Sequence, residues 1–104
     1  MIAIKIKPLS VNDCWRGQRF KTPEYKQYER DLLMLLPKMK VVKPTMITLN
    51  FGLSSVLADF DNPVKPFVDV LQKKYGFNDR EIVEARIFKT KVEKGKEFIM
   101  FELK

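Results

Sequence analysis

The chain has no histidine. That excludes serine–histidine–aspartate and cysteine–histidine nucleophiles, histidine-ligated zinc and histidine general bases together. There is one cysteine, Cys14, so no disulfide can close within the chain, a pattern suited to a reducing compartment. No apolar run approaches about 18 residues, which argues against a membrane span, and the first residues lack a cleavable-signal pattern. Internal repeats, linkers and low-complexity tracts are missing as well. The expectation is a soluble cytoplasmic protein, one domain over residues 1–104, with no membrane partner. Any hydrolysis it performs must rest on carboxylates, lysine and a hard, oxygen-seeking cation such as magnesium or manganese.

Charge of one sign dominates what is present. Twenty Lys and Arg stand against 13 Asp and Glu, a net +7. In a small domain this favours a polyanionic partner, most often nucleic acid, although a basic surface can also serve solubility alone. Asp59, Asp61 and Asp79 run against that trend.

Ile2, Ile4 and Ile6 alternate with Ala3, Lys5 and Lys7, which predicts a strand ended by Pro8. Leu9 to Lys21 is irregular and interleaves Arg16, Arg19 and Lys21 with Trp15 and Phe20. Exposed, that mixture suits phosphates and unstacked bases; folded inward, Trp15 and Phe20 would plug the core. Thr22 and Pro23 open a helix with a stripe of Tyr25, Tyr28, Leu32, Leu35, Leu36 and Met39. Pro44 to Leu53, with Met46, Ile47, Thr48, Leu49 and Phe51, reads as a strand. A second helix is expected from about Pro63 to Tyr75, capped by Gly76 and carrying Lys73 and Lys74 in its last turn. Residues 82–92 and 98–103 read as strands joined by a tight hairpin turn at Lys94-Gly95. The order predicts an α+β fold: a mixed sheet with two main helices.

The stretch Asp59-Phe60-Asp61-Asn62-Pro63-Val64-Lys65 is the chemical focus. Were it extended, Asp59 and Asp61 would share a side, about 6–7 Å apart. Two carboxylates that close need protonation, solvent or a cation between them. Asn62 as N-cap and Pro63 as first helical residue would aim a helix N-terminus at the same spot, with Lys65 beside it. The pattern suits a divalent cation that handles phosphate; it equally suits a capped helix with solvated acids.

These residues resemble the RusA-type Holliday junction resolvases. Asp59-Phe60-Asp61-Asn62, Lys65, Asp69, Leu71, Gly76-Phe77, Asp79 and Val83 are similar to that family's D-x-D-N-x-x-K…D-x-L…G-[FW]-x-D-D…V signature. Ser10-Val11-Asn12 with Trp15, then Tyr25 and Tyr28, resembles a second block of it. Two differences stand out: Ser54-Ser55-Val56-Leu57-Ala58 replaces a run of arginines, and Asn78-Asp79 replaces the Asp pair. The resemblance implies a RusA-like domain and a homodimeric, Mg²⁺-dependent (or Mn²⁺-dependent) endodeoxyribonuclease. Its partner would be branched double-stranded DNA, cut symmetrically at four-way junctions during recombination and repair in a bacterial or phage-infected cell. It also implies Asp59, Asp61 and Asp79 as metal-binding carboxylates and Lys65 as the essential basic residue, a fixed positive charge. DNA contacts are expected from Asn12, Trp15, Arg16, Arg19 and Lys21, with Asn62 and Lys73. Three other readings stay open: a non-catalytic DNA-binding accessory module, a metal-dependent nuclease of flaps, forks or RNA, and a small interaction protein basic only for solubility. Reach adds an expectation about assembly. A helix over 63–75 spans roughly 18–20 Å, and residues 76–79 recover only about 14 Å, so a partner subunit's Asp79 is a plausible completion of the site.

Overall fold

The computed structural model describes residues 1–55 and 59–104; of the stretch that replaces the arginine run, residues 56–58 lie outside the described residues. The described residues form six strands and two α-helices: β1 (Ile2–Ile4), β2 (Trp15–Arg16), β3 (Phe20–Lys21), α1 (Pro23–Leu35), β4 (Met46–Leu53), α2 (Val64–Tyr75), β5 (Glu84–Lys91) and β6 (Phe98–Leu103). Single 3-10 turns occupy Val11–Asp13 and Asp79–Glu81. The main sheet runs β1-β6-β4-β5, with β4 and β5 parallel and the other pairs antiparallel, while β2 and β3 make a separate ribbon. The fold is α+β on a mixed sheet, as the element order predicts. No helix among the described residues is long and apolar enough to cross a membrane.

Strand β4 is central because its pattern fits that position. Ile47, Leu49 and Phe51 alternate inward and are all buried. Phe67 of α2 meets Phe51 edge-on at 6.2 Å and Phe101 of β6 at 5.6 Å between ring centroids. Such edge contacts add to burial itself, and truncating a core phenylalanine costs about 3–5 kcal/mol. Helix α1 begins where expected, with the Thr22 hydroxyl accepting from the Tyr25 N–H at 3.2 Å. Tyr25, Tyr28, Leu32 and Leu36 are buried, but Leu35, the last helical residue, is about half exposed. Gly76 ends α2 in the left-handed conformation that favours glycine, at φ 74°.

Three expectations are corrected. Strand β1 stops at Ile4, where the Ile6 N–H turns back to the Ile4 carbonyl at 3.1 Å. The Leu9–Lys21 segment is not wholly irregular, since it contains the β2–β3 ribbon. Residues around Lys94-Gly95 do not close a hairpin, because β4 lies between β5 and β6. The connection instead arches over the end of β4, where the Ser54 hydroxyl donates to Glu97 at 2.9 Å. Strand β5 is one edge of the sheet, opposite β1, and none of its residues is fully buried.

Gly52 sits opposite Phe98 across the β4–β6 pair, and a Cβ on it would lie 2.3 Å from the Phe98 ring. The ring fills the space a side chain would take. Gly52→Ala is therefore expected to destabilise the fold by about 1–3 kcal/mol, with Gly52→Ala/Phe98→Leu recovering part of the loss. Denaturant unfolding checks this, and an alanine variant as stable as the parent contradicts it.

Candidate functional site

The end of β4 and the start of α2 bring together sequence blocks about fifty residues apart. The Val11 N–H donates to the Asn62 carbonyl at 2.8 Å, tying the Ser10–Asp13 turn to the acidic stretch. Beside this stitch lies an open groove of about 980 Å³ whose lining includes Ser10, Tyr28, Asp59 and Asn62. Among its lining residues the acids Asp13, Glu24, Asp31, Asp59 and Glu97 outnumber the bases Lys7 and Arg30. A hollow of that sign on a chain of net +7 suits a small cation better than a bare phosphate.

Asp59 and Asp61 are not arranged as the extended-segment reading supposes. Residues 60–63 form a turn, so period-two alternation does not apply to them. Both acids are exposed; Asp59 lines the groove, and Asp61 is not part of its lining. Asn62 is not the helix cap either. Pro63 holds that position without a side-chain bond, and the Asp61 carbonyl accepts the Val64 N–H at 3.1 Å.

Lys65 points along the helix rather than back across the turn. Its ammonium bonds Asp69 at 3.0 Å, one turn on, and lies 3.8 Å from Asp79. The hydrogen bond to Asp69 is the main cause that raises the Lys65 pKa; burial opposes it, and the charges of Asp69 and Asp79 add to the rise. Lys65 therefore stays charged at any physiological pH. Asp79 is held from its other side as well, its N–H donating to the Gln72 side chain at 2.9 Å. The chain after Gly76 thus doubles back beside α2, and Lys65 links Asp79 to the helix that follows Asp61. Among the described residues, no three acidic, cysteine or histidine side chains are grouped as a ready-made cation site.

The basic-aromatic residues are divided. Arg16 and Arg19 are exposed on the β2–β3 ribbon, as is Asn12 in the preceding turn. Trp15 packs edge-on against Tyr25 at 5.7 Å yet remains 42% exposed. Phe20 is 73% exposed, so it does not plug the core. Lys21 and Lys73 are both engaged by Glu29, the latter at 2.6 Å, and Lys21 also lies 5.1 Å from the Tyr25 ring centroid. Burial alone would raise the Glu29 pKa, but hydrogen bonds from Lys21 and Lys73 outweigh it and hold the carboxyl below its ordinary 4.5.

Sequence reasoning missed Glu29 and gave Asp69 no role at the site. Asp69 follows Lys65 at the i, i+4 spacing that pairs charges on a helix, a usable signal. Glu29 carries no such mark, because its partner Lys73 is 44 positions away. No known family model matches the chain, and no curated protein matches it either.

Glu29 yields a prediction with a definite sign. A carboxyl whose pKa is depressed on folding contributes stability above its unfolded value and loses it as pH falls through the folded one. Glu29→Gln should cost about 1–2 kcal/mol at pH 7, the gap to the parent closing below the ordinary 4.5. Denaturant unfolding across pH reads this; a gap that persists unchanged at pH 3 contradicts it.

Proposed function

We propose that the chain is a RusA-type, Mg²⁺-dependent structure-specific endodeoxyribonuclease that cuts four-way DNA junctions by paired phosphodiester cleavage. The observation that carries this reading is the Lys65–Asp79 contact of 3.8 Å, which joins the two distant parts of the signature at one place. The Val11–Asn62 bond supports it by setting the basic-aromatic block against the acidic one.

Asp59, Asp61 and Asp79 present only hard oxygen donors, the chemistry magnesium or manganese takes. Magnesium supplies, when bound, a concentrated positive charge for the phosphate oxygens and the attacking water. Lys65, fixed by Asp69, offers a permanent ammonium to charge developing on the phosphoryl oxygens. Exposed Arg16 and Arg19 reach neighbouring phosphates and set the register of the duplex. Lys21 and Lys73, already engaged by Glu29, shape the surface more than they neutralise DNA.

A homodimer belongs to this reading. Two symmetry-related sites facing opposed strands account for paired cuts, and the edge strand β5, exposed along its length with Phe88 outward, offers a second copy a surface to cover. Lys65 then holds Asp79 where its own subunit or its partner can use it.

One observation favours a second reading, a non-catalytic DNA-binding module: the carboxylate of Asp79 already faces a lysine of its own chain. Nicking of a synthetic junction separates the two. Asp61→Asn is expected to lose at least 100-fold in Mg²⁺-dependent nicking while its junction affinity stays within about threefold of the parent, an interaction of several kcal/mol confined to the reacting phosphate. Full cleavage by that variant rules the nuclease reading out.

Mixed dimers address assembly. If Asp79 acts across the two-fold axis, a dimer of one Asp59→Asn chain and one Asp79→Asn chain keeps one intact composite site and makes single nicks. If each chain completes its own site, the same dimer is inert.

A further inference from the structure

We infer that Phe20 is a stacking wedge for an unpaired base at a DNA branch point, an inference that rests on the reading of the chain as a branched-DNA binder. The ribbon that carries it is two residues per strand, far below what stands alone in water. Its base is nevertheless clamped. The Thr22 N–H donates to the Cys14 carbonyl at 2.9 Å, the Thr22 hydroxyl donates to the Asp13 carbonyl at 2.6 Å, and Cys14 is fully buried.

Register divides the two faces. Residues directly opposite in an antiparallel pair share a face, and the pairs are Trp15 with Lys21 and Arg16 with Phe20. Trp15 and Lys21 both lie against Tyr25, so Arg16 and Phe20 project the other way. Gly17, at φ 67°, makes the turn between the strands. The outward face thus holds a phenylalanine ring 73% exposed, with Arg16 across the ribbon and Arg19 next in sequence. Among the described residues no carboxylate pairs with either arginine.

An exposed apolar ring with one arginine across the ribbon and another next in sequence fits one chemistry: a π-face bounded by phosphates. Intact duplex hides its base faces in the stack, whereas a branch point leaves them open at its centre. Stacking a base on an aromatic side chain is worth about 1–3 kcal/mol, so Phe20 supplies preference for branched over linear DNA rather than general affinity. Pushing an apolar wedge into a base step is an established way for proteins to hold distorted DNA.

The test uses the full chain with EDTA, so that no cleavage is required, and compares a four-way junction with a linear duplex of the same arms. Phe20→Ala should raise the junction Kd about 5–150-fold and leave the duplex Kd within twofold, and Phe20→Trp should restore the junction Kd. With 2-aminopurine at the branch centre, the parent should change its fluorescence and Phe20→Ala should not; equal weakening on both DNAs, or an unchanged junction Kd, overturns the wedge alone. Sedimentation showing that Phe20→Ala turns a dimer into a monomer also overturns it, since the ring then serves subunit contact. A parent protein that binds neither DNA, at any salt concentration, overturns the functional reading together with the wedge.

Discussion

The packing of Phe67 between Phe51 and Phe101 is the contact on which the rest of the molecule depends. It fixes both the tilt and the rotation of α2 on the sheet, because a ring held edge-on by two others has little freedom to turn. Once that rotation is set, Lys65, Asp69 and Gln72 lie along one side of the helix and the acidic turn sits at its start. The doubling back of residues 76–79 then brings Asp79 to the same side. A domain of this size has only about 5–15 kcal/mol of stability in all. The aromatic cluster is therefore also the principal safeguard of the site's geometry.

Electrostatics is arranged around that scaffold in two local networks. In one, Glu29 gathers Lys21 and Lys73; in the other, Asp69 and Asp79 share Lys65. The first is shielded from solvent at the carboxylate, whose side chain is only 12% exposed, and it joins the ribbon, α1 and α2. The second is open to water, where ion pairs contribute little to stability. That arrangement holds a lysine and two acids together at the surface while adding little to stability. The acidic groove beside Asp59 belongs to the same picture, since it faces solvent on a chain whose surface is otherwise basic.

Most of the fold was legible in the sequence because periodicity reports burial. The alternation in β4 and the stripes on the two helices follow directly from which residues face the sheet. What periodicity does not report is which strands are neighbours, and this is why Lys94-Gly95 read as a hairpin although β4 separates the strands it joins. The candidate site was legible in its parts and not in its geometry. Asp59, Asp61, Lys65 and Asp79 stand out by pattern and by resemblance, but the turn over residues 60–63 and the direction of the Lys65 side chain depend on tertiary contacts. Glu29 was invisible for the same reason, and Phe20 was ambiguous because an aromatic among arginines suits a core plug and an exposed platform alike.

What the protein does to DNA of defined shape is the decisive measurement. Four-way, forked and linear duplexes, end-labelled on each strand, are incubated with the protein in Mg²⁺ and in EDTA, and every cut is mapped. Paired nicks placed symmetrically about the centre of the four-way junction, made in Mg²⁺ and abolished by EDTA, are the predicted result. Four-way junctions left intact at every Mg²⁺ and Mn²⁺ concentration by protein shown to bind them would contradict it.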